Sequence, residues 1–306
     1  MKKALFALAI GAAFCVSAAE LAMDPQTPWK KTAEGYSIDY SGSGWTSLSK
    51  KVFVEGGKFY RFSWEGRLDG SELPKIQIVF TANGKNSYSP IPLTDAWAAQ
   101  TAYYYAKEST ELLVRIALDP GKGGKILVRN TAWDELTPEQ LKANLLPNGD
   151  FENGVAGISH WVNLRDTLSL PLRIVGGQNF LNGEKSLEMD LPAREKGVWG
   201  VKSRSLPIEA GKIYTFSFWA KASAPMGIQG GVSIWAPTGH NGKHFNQIRS
   251  FKLETEWKEF SWDVTIPADA AEYPDVADRM AELVLMTWNA DQTGKIWFDD
   301  ISFRQK

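Results

Sequence analysis

Two stretches of this 306-residue chain lie over one another without a gap: Trp45–Arg67, WTSLSKKVFVEGGKFYRFSWEGR, and Trp199–Lys221, WGVKSRSLPIEAGKIYTFSFWAK. Identities fall at Trp45, Ser49, Glu55, Gly57, Lys58, Tyr60, Phe62 and Ser63. Downstream, ELLVRI at Glu111–Ile116 matches ELVLMT at Glu282–Thr287, and GKILVRN at Gly124–Asn130 matches GKIWFDD at Gly294–Asp300. The blocks keep their order, and the second copy is longer between them. A duplicated domain accounts for that order, so whatever one half folds into, the other must fold into as well.

Each half has a period of two. In Ile213–Ala220, Tyr214, Phe216, Phe218 and Ala220 point one way and Thr215, Ser217 and Trp219 the other. In Glu259–Ile266, Phe260, Trp262, Val264 and Ile266 oppose Glu259, Ser261, Asp263 and Thr265. Alternation between Gly, Pro, Asn and Asp turns, with almost no helical periodicity, predicts antiparallel sheets packed face to face. The expected fold is all-β: two consecutive antiparallel β-sandwiches, of jelly-roll or galactose-binding-like type, after a signal peptide. Thr137-Pro138-Glu139-Gln140 reads as a capping box with proline at the first helical position, which predicts a short helix over 138–144. The expected domains are 20–136 and 145–306, joined by a linker helix at 137–144 with the boundary near residue 142.

Met1-Lys2-Lys3 followed by the apolar run Ala4–Val16 and the small residues Ser17-Ala18-Ala19 has the three-part form of a secretory signal, with cleavage expected after residue 19. The apolar stretch is shorter than the ~20 residues a membrane-spanning helix needs, and no later segment reaches that length. Phe14 before Cys15 departs from a lipoprotein signal, so a secreted or periplasmic chain without a lipid anchor is expected. Cys15 is the only cysteine, which leaves the mature chain no disulfide and no thiolate chemistry. With 34 basic and 35 acidic residues overall, the charge is too balanced for a nucleic-acid footprint or a polybasic membrane surface.

The second half carries five motifs in order: NGDFENG at Asn148–Gly154 with Trp161 after it; GEKSLEMD at Gly183–Asp190; LPIEAGKIYTFSFWAKAS at Leu206–Ser223; Trp257 before FSWDVTIP; and KIWFDDISF at Lys295–Phe303. This half resembles the carbohydrate-binding module superfamily of families 4, 9 and 22, jelly-roll modules found beside cellulases and xylanases. The first half resembles it only through the repeat; it lacks the NGDFE opening and ends in Val128-Arg129-Asn130. The resemblance implies a non-catalytic module that binds glycan on an aromatic-lined face and often holds a structural calcium.

The chemistry of sugars gives that implication a residue-level form. A pyranose offers an apolar face of C–H groups for an indole to cover and an equator of hydroxyls for polar side chains to pair with. The chain has 13 tryptophans. Strand parity turns Trp219 and Lys221 away from the core, places Trp235 outward with Ser233, and sets Trp288 on the same outward face; Trp199 completes the expected carbohydrate-binding set. Trp262 shares parity with Phe260 and Val264 and is expected inside. In the first half the matching outward row is Arg61, Ser63, Glu65 and Arg67. That row reads first as solvated surface or interdomain contact, and only third as a site for a charged glycan. Trp97 and Tyr103-Tyr104-Tyr105 offer an aromatic ledge there, half of which must face inward.

For calcium, a hard cation wanting six to eight oxygens, the expected ligands are Asp150, Glu152, Asp299 and Asp300, completed by a carbonyl near Lys185 or Ser186; no calcium is expected in the first half. Catalytic signatures are lacking. Glycoside hydrolysis needs two carboxylates facing each other about 5–10 Å apart, whereas Asp299 and Asp300 are adjacent and diverge. His240 and His244 flank an Asn-Gly turn rather than a helix, and no nucleophile elbow, phosphate loop or dinucleotide fingerprint occurs. The expected protein is an exported, non-catalytic polysaccharide binder acting through its second domain, serving separate glycan-degrading enzymes or a cell-surface partner. The alternatives are a structural or adhesive surface protein, and an all-β lyase or glycosidase with an unrecognised site.

Overall fold

The computed structural model describes residues 19–69, 76–91, 93, 95–152, 161–163, 172–177, 179–192, 198–234, 244–268, 273–287 and 292–306. Residues 1–18 of the expected signal fall outside these residues. Alternating side chains make strands, and in chain order the first half forms β1 (Asp24–Pro25), β2 (Lys30–Thr32), β3 (Gly35–Tyr40), β4 (Thr46–Val54), β5 (Phe59–Asp69), β6 (Ile76–Ala82), β7 (Lys85–Ile91), β8 (Ala98–Tyr105), β9 (Thr110–Leu118) and β10 (Gly124–Glu135). The second half forms β11 (Trp161–Asn163), β12 (Leu172–Val175), β13 (Ser186–Leu191), β14 (Trp199–Ser203), β15 (Ile213–Ala222), β16 (Met226–Ser233), β17 (Asn246–Leu253), β18 (Lys258–Thr265), β19 (Met280–Thr287) and β20 (Gly294–Gln305). Two short pairings, Ala19–Glu20 on β10 and Leu206–Pro207 on β19, extend the sheets.

The duplication is visible in the pairing. The first half stacks a β2-β3-β10-β5-β8 sheet on a β1-β4-β9-β6-β7 sheet, and the second stacks β12-β13-β20-β15-β18 on β11-β14-β19-β16-β17. Adding ten to each strand of the first half reproduces the second, and every ladder is antiparallel. The matched glycines do the same work. Gly57 and Gly211 turn the chain into β5 and β15 with φ of 82° and 73°, in the left-handed region where a side chain is strained. Tyr60 and Tyr214 then accept a hydrogen bond from the backbone N–H of Glu55 and Glu209, at 2.9 and 2.8 Å. Each ring stacks on its counterpart across the strand, Tyr60 on Trp133 and Tyr214 on Phe303.

Burial follows the alternation. Tyr60, Phe62, Trp64 and Leu68 fill one core, and Tyr214, Phe216, Phe218 and Ala220 the other, while Arg61, Ser63, Glu65 and Arg67, like Thr215, Ser217, Trp219 and Lys221, stay partly exposed. Trp262 is buried against Phe216 and Phe218, as expected. One sequence identity is not equivalence in space. Trp45 is exposed, whereas Trp199 packs against the second core. In β4 Leu48 points inward; in β14 Val201 does, and Lys202, which aligns with Leu48, points out. The break between β14 and Leu206 reverses the parity of the residues before it.

The linker forms the helix Pro138–Lys142, shorter than expected, with the capping box in place: Thr137 Oγ1 accepts from Gln140 N at 3.2 Å and Gln140 Oε1 accepts from Thr137 N at 2.8 Å. Leu136, Leu141 and Leu145 join Phe59 and Tyr103 in the same buried cluster as the second core. The tyrosine run is therefore an interface rather than a ledge. Tyr103 donates its hydroxyl to the Leu145 carbonyl at 2.9 Å, Tyr105 packs on Phe59, and Tyr104 turns into the first core.

Candidate functional site

The second domain has two outward sheet faces, and their chemistry differs. On the β11-β14-β19-β16-β17 sheet, Leu283 and Leu285 point into the core, so Glu282, Val284 and Met286 point out; on β16, Met226, Ile228 and Val232 point in, so Gln229, Gly231 and Ser233 point out. Register lines these up in rows. Glu282 pairs with Ser233 and Ser233 with Asn246; Lys202 pairs with Val284, Val284 with Gly231 and Gly231 with Ile248; Gly200 pairs with Met286, Met286 with Gln229 and Gln229 with Ser250.

Lys202 Nζ bridges both Glu282 oxygens at 3.0 and 3.1 Å, and burial pushes the Glu282 carboxyl above the usual carboxylate range against the opposing pull of Lys202. Ser233 Oγ and Asn246 Oδ1 lie 2.5 Å apart. Val284 and Met286, with Val198, form a small buried apolar patch separate from the main core. Gly231 lets β17 approach closely, since a Cβ there would meet the Gln247 carbonyl at 2.1 Å. Polar groups in rows can pair with the hydroxyls of a ligand, while the apolar patch beneath them is itself buried.

On the β12-β13-β20-β15-β18 sheet, Trp219 is half-buried and faces out. Lys221 Nζ sits between two indoles, 5.2 Å from Trp257 and 5.3 Å from Trp297, a cation–π arrangement. Trp297 donates Nε1 to Glu188 Oε2 at 3.0 Å, and Lys295 Nζ reaches Glu188 Oε1 at 3.2 Å. This face is aromatic and ionic, with its polar groups already paired.

The five expected sugar-binding residues are thus not one platform. Trp219 and Lys221 belong to one sheet and Trp199 to the other, its ring against the core rather than on the outer face. Trp235 and Trp288 lie outside the described residues; in the chain they come after β16 and β19, strands of the Trp199 sheet. The expected face shared by Trp219, Trp235 and Trp288 falls in part on residues outside those described; what the structure corrects is the grouping of Trp219 and Lys221 with Trp199. Alternation says which side of its own strand a residue occupies, not which sheet the strand joins. Sequence reading set Ser233 outward and noted Trp257 without giving either a site role, and it missed Lys202, Gln229, Asn246, Glu282 and Trp297. The parity of Glu282, opposite to Leu283 and Leu285, was the available signal for the polar floor.

The four acids expected to ligate calcium are engaged otherwise. Asp299 is fully buried; its Oδ2 accepts from the N–H of Leu181 and Asn182 at 2.8 and 3.2 Å and its Oδ1 from Asp300 N at 2.8 Å. Burial raises its carboxyl to about 6, with those amides pulling the other way. Asp300 accepts from the Asn182 side chain. Glu152 Oε1 accepts from Glu184 N and Lys185 N at 2.8 and 2.7 Å, and Asp150 Oδ1 from Glu152 N at 3.3 Å. Amide N–H groups, not the expected carbonyl near Lys185, face Glu152. These carboxylates do not fit a calcium cage as they stand: they clamp the 181–185 loop, and among the described residues no group of three or more His, Cys, Asp or Glu is arranged to hold a metal ion.

Fold and faces together define a tandem of β-sandwich domains whose second member carries rows of polar side chains on one outward sheet face. Residues 143–275 match the carbohydrate binding domain family, in agreement with the superfamily that the motifs of this half resemble. Among solved structures, the N-terminal CBM22-1-CBM22-2 tandem domain from Paenibacillus barcinonensis Xyn10C is 16% identical over 95% of this chain and 95% of its own, with a TM-score of 0.41. A family 4 module is 18% identical over 53% of this chain and 99% of its own, at 0.38. The family 11 module of the cellulosomal cellulase Lic26A-Cel5E of Clostridium thermocellum is 21% identical over 51% and 92%, at 0.37. No curated protein matches the sequence. Among the described residues no helix is long and apolar enough to cross a membrane.

Proposed function

We propose that this chain is an exported, non-catalytic polysaccharide-binding protein, and that its second domain takes a glycan strand across the outer face of the β11-β14-β19-β16-β17 sheet. One observation carries the choice of face: Gln229, Ser233, Asn246 and the Lys202–Glu282 pair lie in register rows around the Val284–Met286 patch. Hydroxyls of the glycan exchange water for the polar side chains of these rows. Aromatic stacking is expected from Trp235 and Trp288, which follow β16 and β19 in the chain. A chain with such a module in place of catalytic machinery would capture glycan for separate enzymes or fasten to a cell-surface partner.

Affinity electrophoresis of the full chain on β-glucan, xylan, mannan and alginate tests the assignment. Gln229→Ala and Asn246→Ala should each weaken retardation on the glycan that wild type binds, and Trp219→Ala should leave it intact. Retardation lost in the Trp219 variant and kept in the other two would move the site to the opposite face. Release of reducing ends or of unsaturated products from the bound glycan would return the enzyme alternative.

A further inference from the structure

The two domains share a cation over a tryptophan at the same place in the repeat. Arg67 Cζ lies 5.1 Å from the Trp97 ring, and Lys221 Nζ lies 5.2 Å from the Trp257 ring. Arg67 and Lys221 are partners in the gapless alignment. The two tryptophans match through the sheets: Phe62 pairs with Ala102 and Phe216 with Trp262, and Trp97 and Trp257 precede those partners by the same interval. Around this shared element the two faces have diverged. Where the second domain has Trp219, Trp297 and Asp299, the first has Glu65, Leu127 and Arg129.

The result in the first domain is a cation, Arg67, whose charge is felt by Asp69 but which makes no ion pair among the described residues. Arg129 stacks on Trp97 at 4.0 Å and is neutralised by Glu65 at 2.6 Å; Arg61 is paired with Asp134 at 2.9 Å and Lys125 with Asp69 at 2.9 Å. Of the Arg and Lys side chains along β5 and β10 that face out, Arg67 is the one with no carboxylate in ion-pair contact among the described residues. Its Nε is sealed from solvent with no acceptor, and its guanidinium lies beside the indole.

We propose that this face is a second carbohydrate site, selective for sugar units that carry a carboxylate. The Nη atoms of Arg67 pair with the two carboxylate oxygens, a match of planar fork to planar anion, and the Trp97 edge lies against the ring that bears it. Glu65 does not repel such a ligand because Arg129 already neutralises it. The site is independent of the face assigned above in the second domain, so either can fail alone.

Calorimetric titration of the full chain with tri-galacturonate, with its carboxyl-reduced counterpart and with a sulfated galactose trimer tests the proposal. Wild type should bind tri-galacturonate, weaken as salt rises, and bind the reduced trimer at least about tenfold less tightly, as loss of one charge-assisted contact implies. Arg67→Gln should abolish the uronate preference while retardation on the neutral glycan is unchanged, with Arg67→Lys between the two; unchanged thermal midpoints show that the variants remain folded. Lys221→Gln should leave uronate binding as in wild type. Absence of uronate binding by wild type, equal binding of the reduced trimer, or full binding by Arg67→Gln overturns it, and preference for the sulfated trimer overturns the carboxylate assignment.

Discussion

Asn130 and Asp300 stand at the same place in the two halves, each in the left-handed region, with φ of 52° and 46°. Both sit where the last strand of the domain bulges: β10 slips register against β5 after Arg129, and β20 slips against β15 after Asp299. The residue after each then bonds back to the start of its own domain, Thr131 with Leu21 and Ile301 with Gly149. The bulge is how the last strand is re-aimed to meet the first segment.

Valine at either bulge should therefore be costly. Asn130→Val or Asp300→Val should each lower unfolding free energy by about 1–2 kcal/mol, since a β-branched residue resists this conformation, whereas Asn130→Gly should change it little. Urea unfolding of the full chain measures both.

Arg204 and Gln100 tie the domains together from inside. Arg204 is buried and donates Nη2 to Gln100 Oε1 at 3.1 Å, while its Nε and Nη1 have no acceptor. Burial disfavours its charge. Gln100→Ala should cost about 2–3 kcal/mol by leaving the guanidinium without that bond. The double variant Arg204→Met, Gln100→Leu should recover most of the loss, because well-packed apolar groups replace a poorly satisfied cation. Thermal denaturation of the two variants provides the comparison.

Asp299 gives the second domain a definite pH response. An acid whose folded pKa is raised, here from 3.8 to about 6, binds its proton more tightly folded than unfolded. Its contribution is complete below the unfolded value and is lost as pH climbs through about 6. The midpoint of Asp299→Asn, minus that of wild type, should thus grow between pH 4 and pH 6.5. A constant difference across that window would remove the assignment.

Chelation separates the amide clamp from the calcium expected by resemblance. With Glu152 and Asp299 occupied by the backbone N–H groups of 181–185, EDTA should leave the thermal midpoint unchanged, and Glu152→Ala should lower it. A drop with EDTA that added calcium reverses would reinstate the ion.

Tyr60 and Tyr214 test the equivalence of the halves. Phenylalanine at either removes the oxygen that accepts the Glu55 or Glu209 N–H, and each change should cost about 1 kcal/mol in unfolding.

Much of this architecture was written locally. The gapless repeat required two copies of one fold, period-two alternation assigned Phe62, Phe216 and Trp262 inward and Arg67 and Lys221 outward, and Thr137-Pro138-Glu139-Gln140 marked the linker helix; each rests on a few neighbouring residues. Sheet membership rests on hydrogen bonds between distant strands. Only the tertiary structure could therefore separate Trp219 from Trp199, turn Trp199 against the core, bring Gln229, Ser233 and Asn246 beside Glu282, and bury Tyr103 against the second domain. It also spent the acids of the NGDFE and FDD motifs on amides, because a carboxylate at a strand end takes whatever donors the folded loop delivers. Sequence settled which side of its strand each residue occupies; pairing across the sheets settled what that side meets.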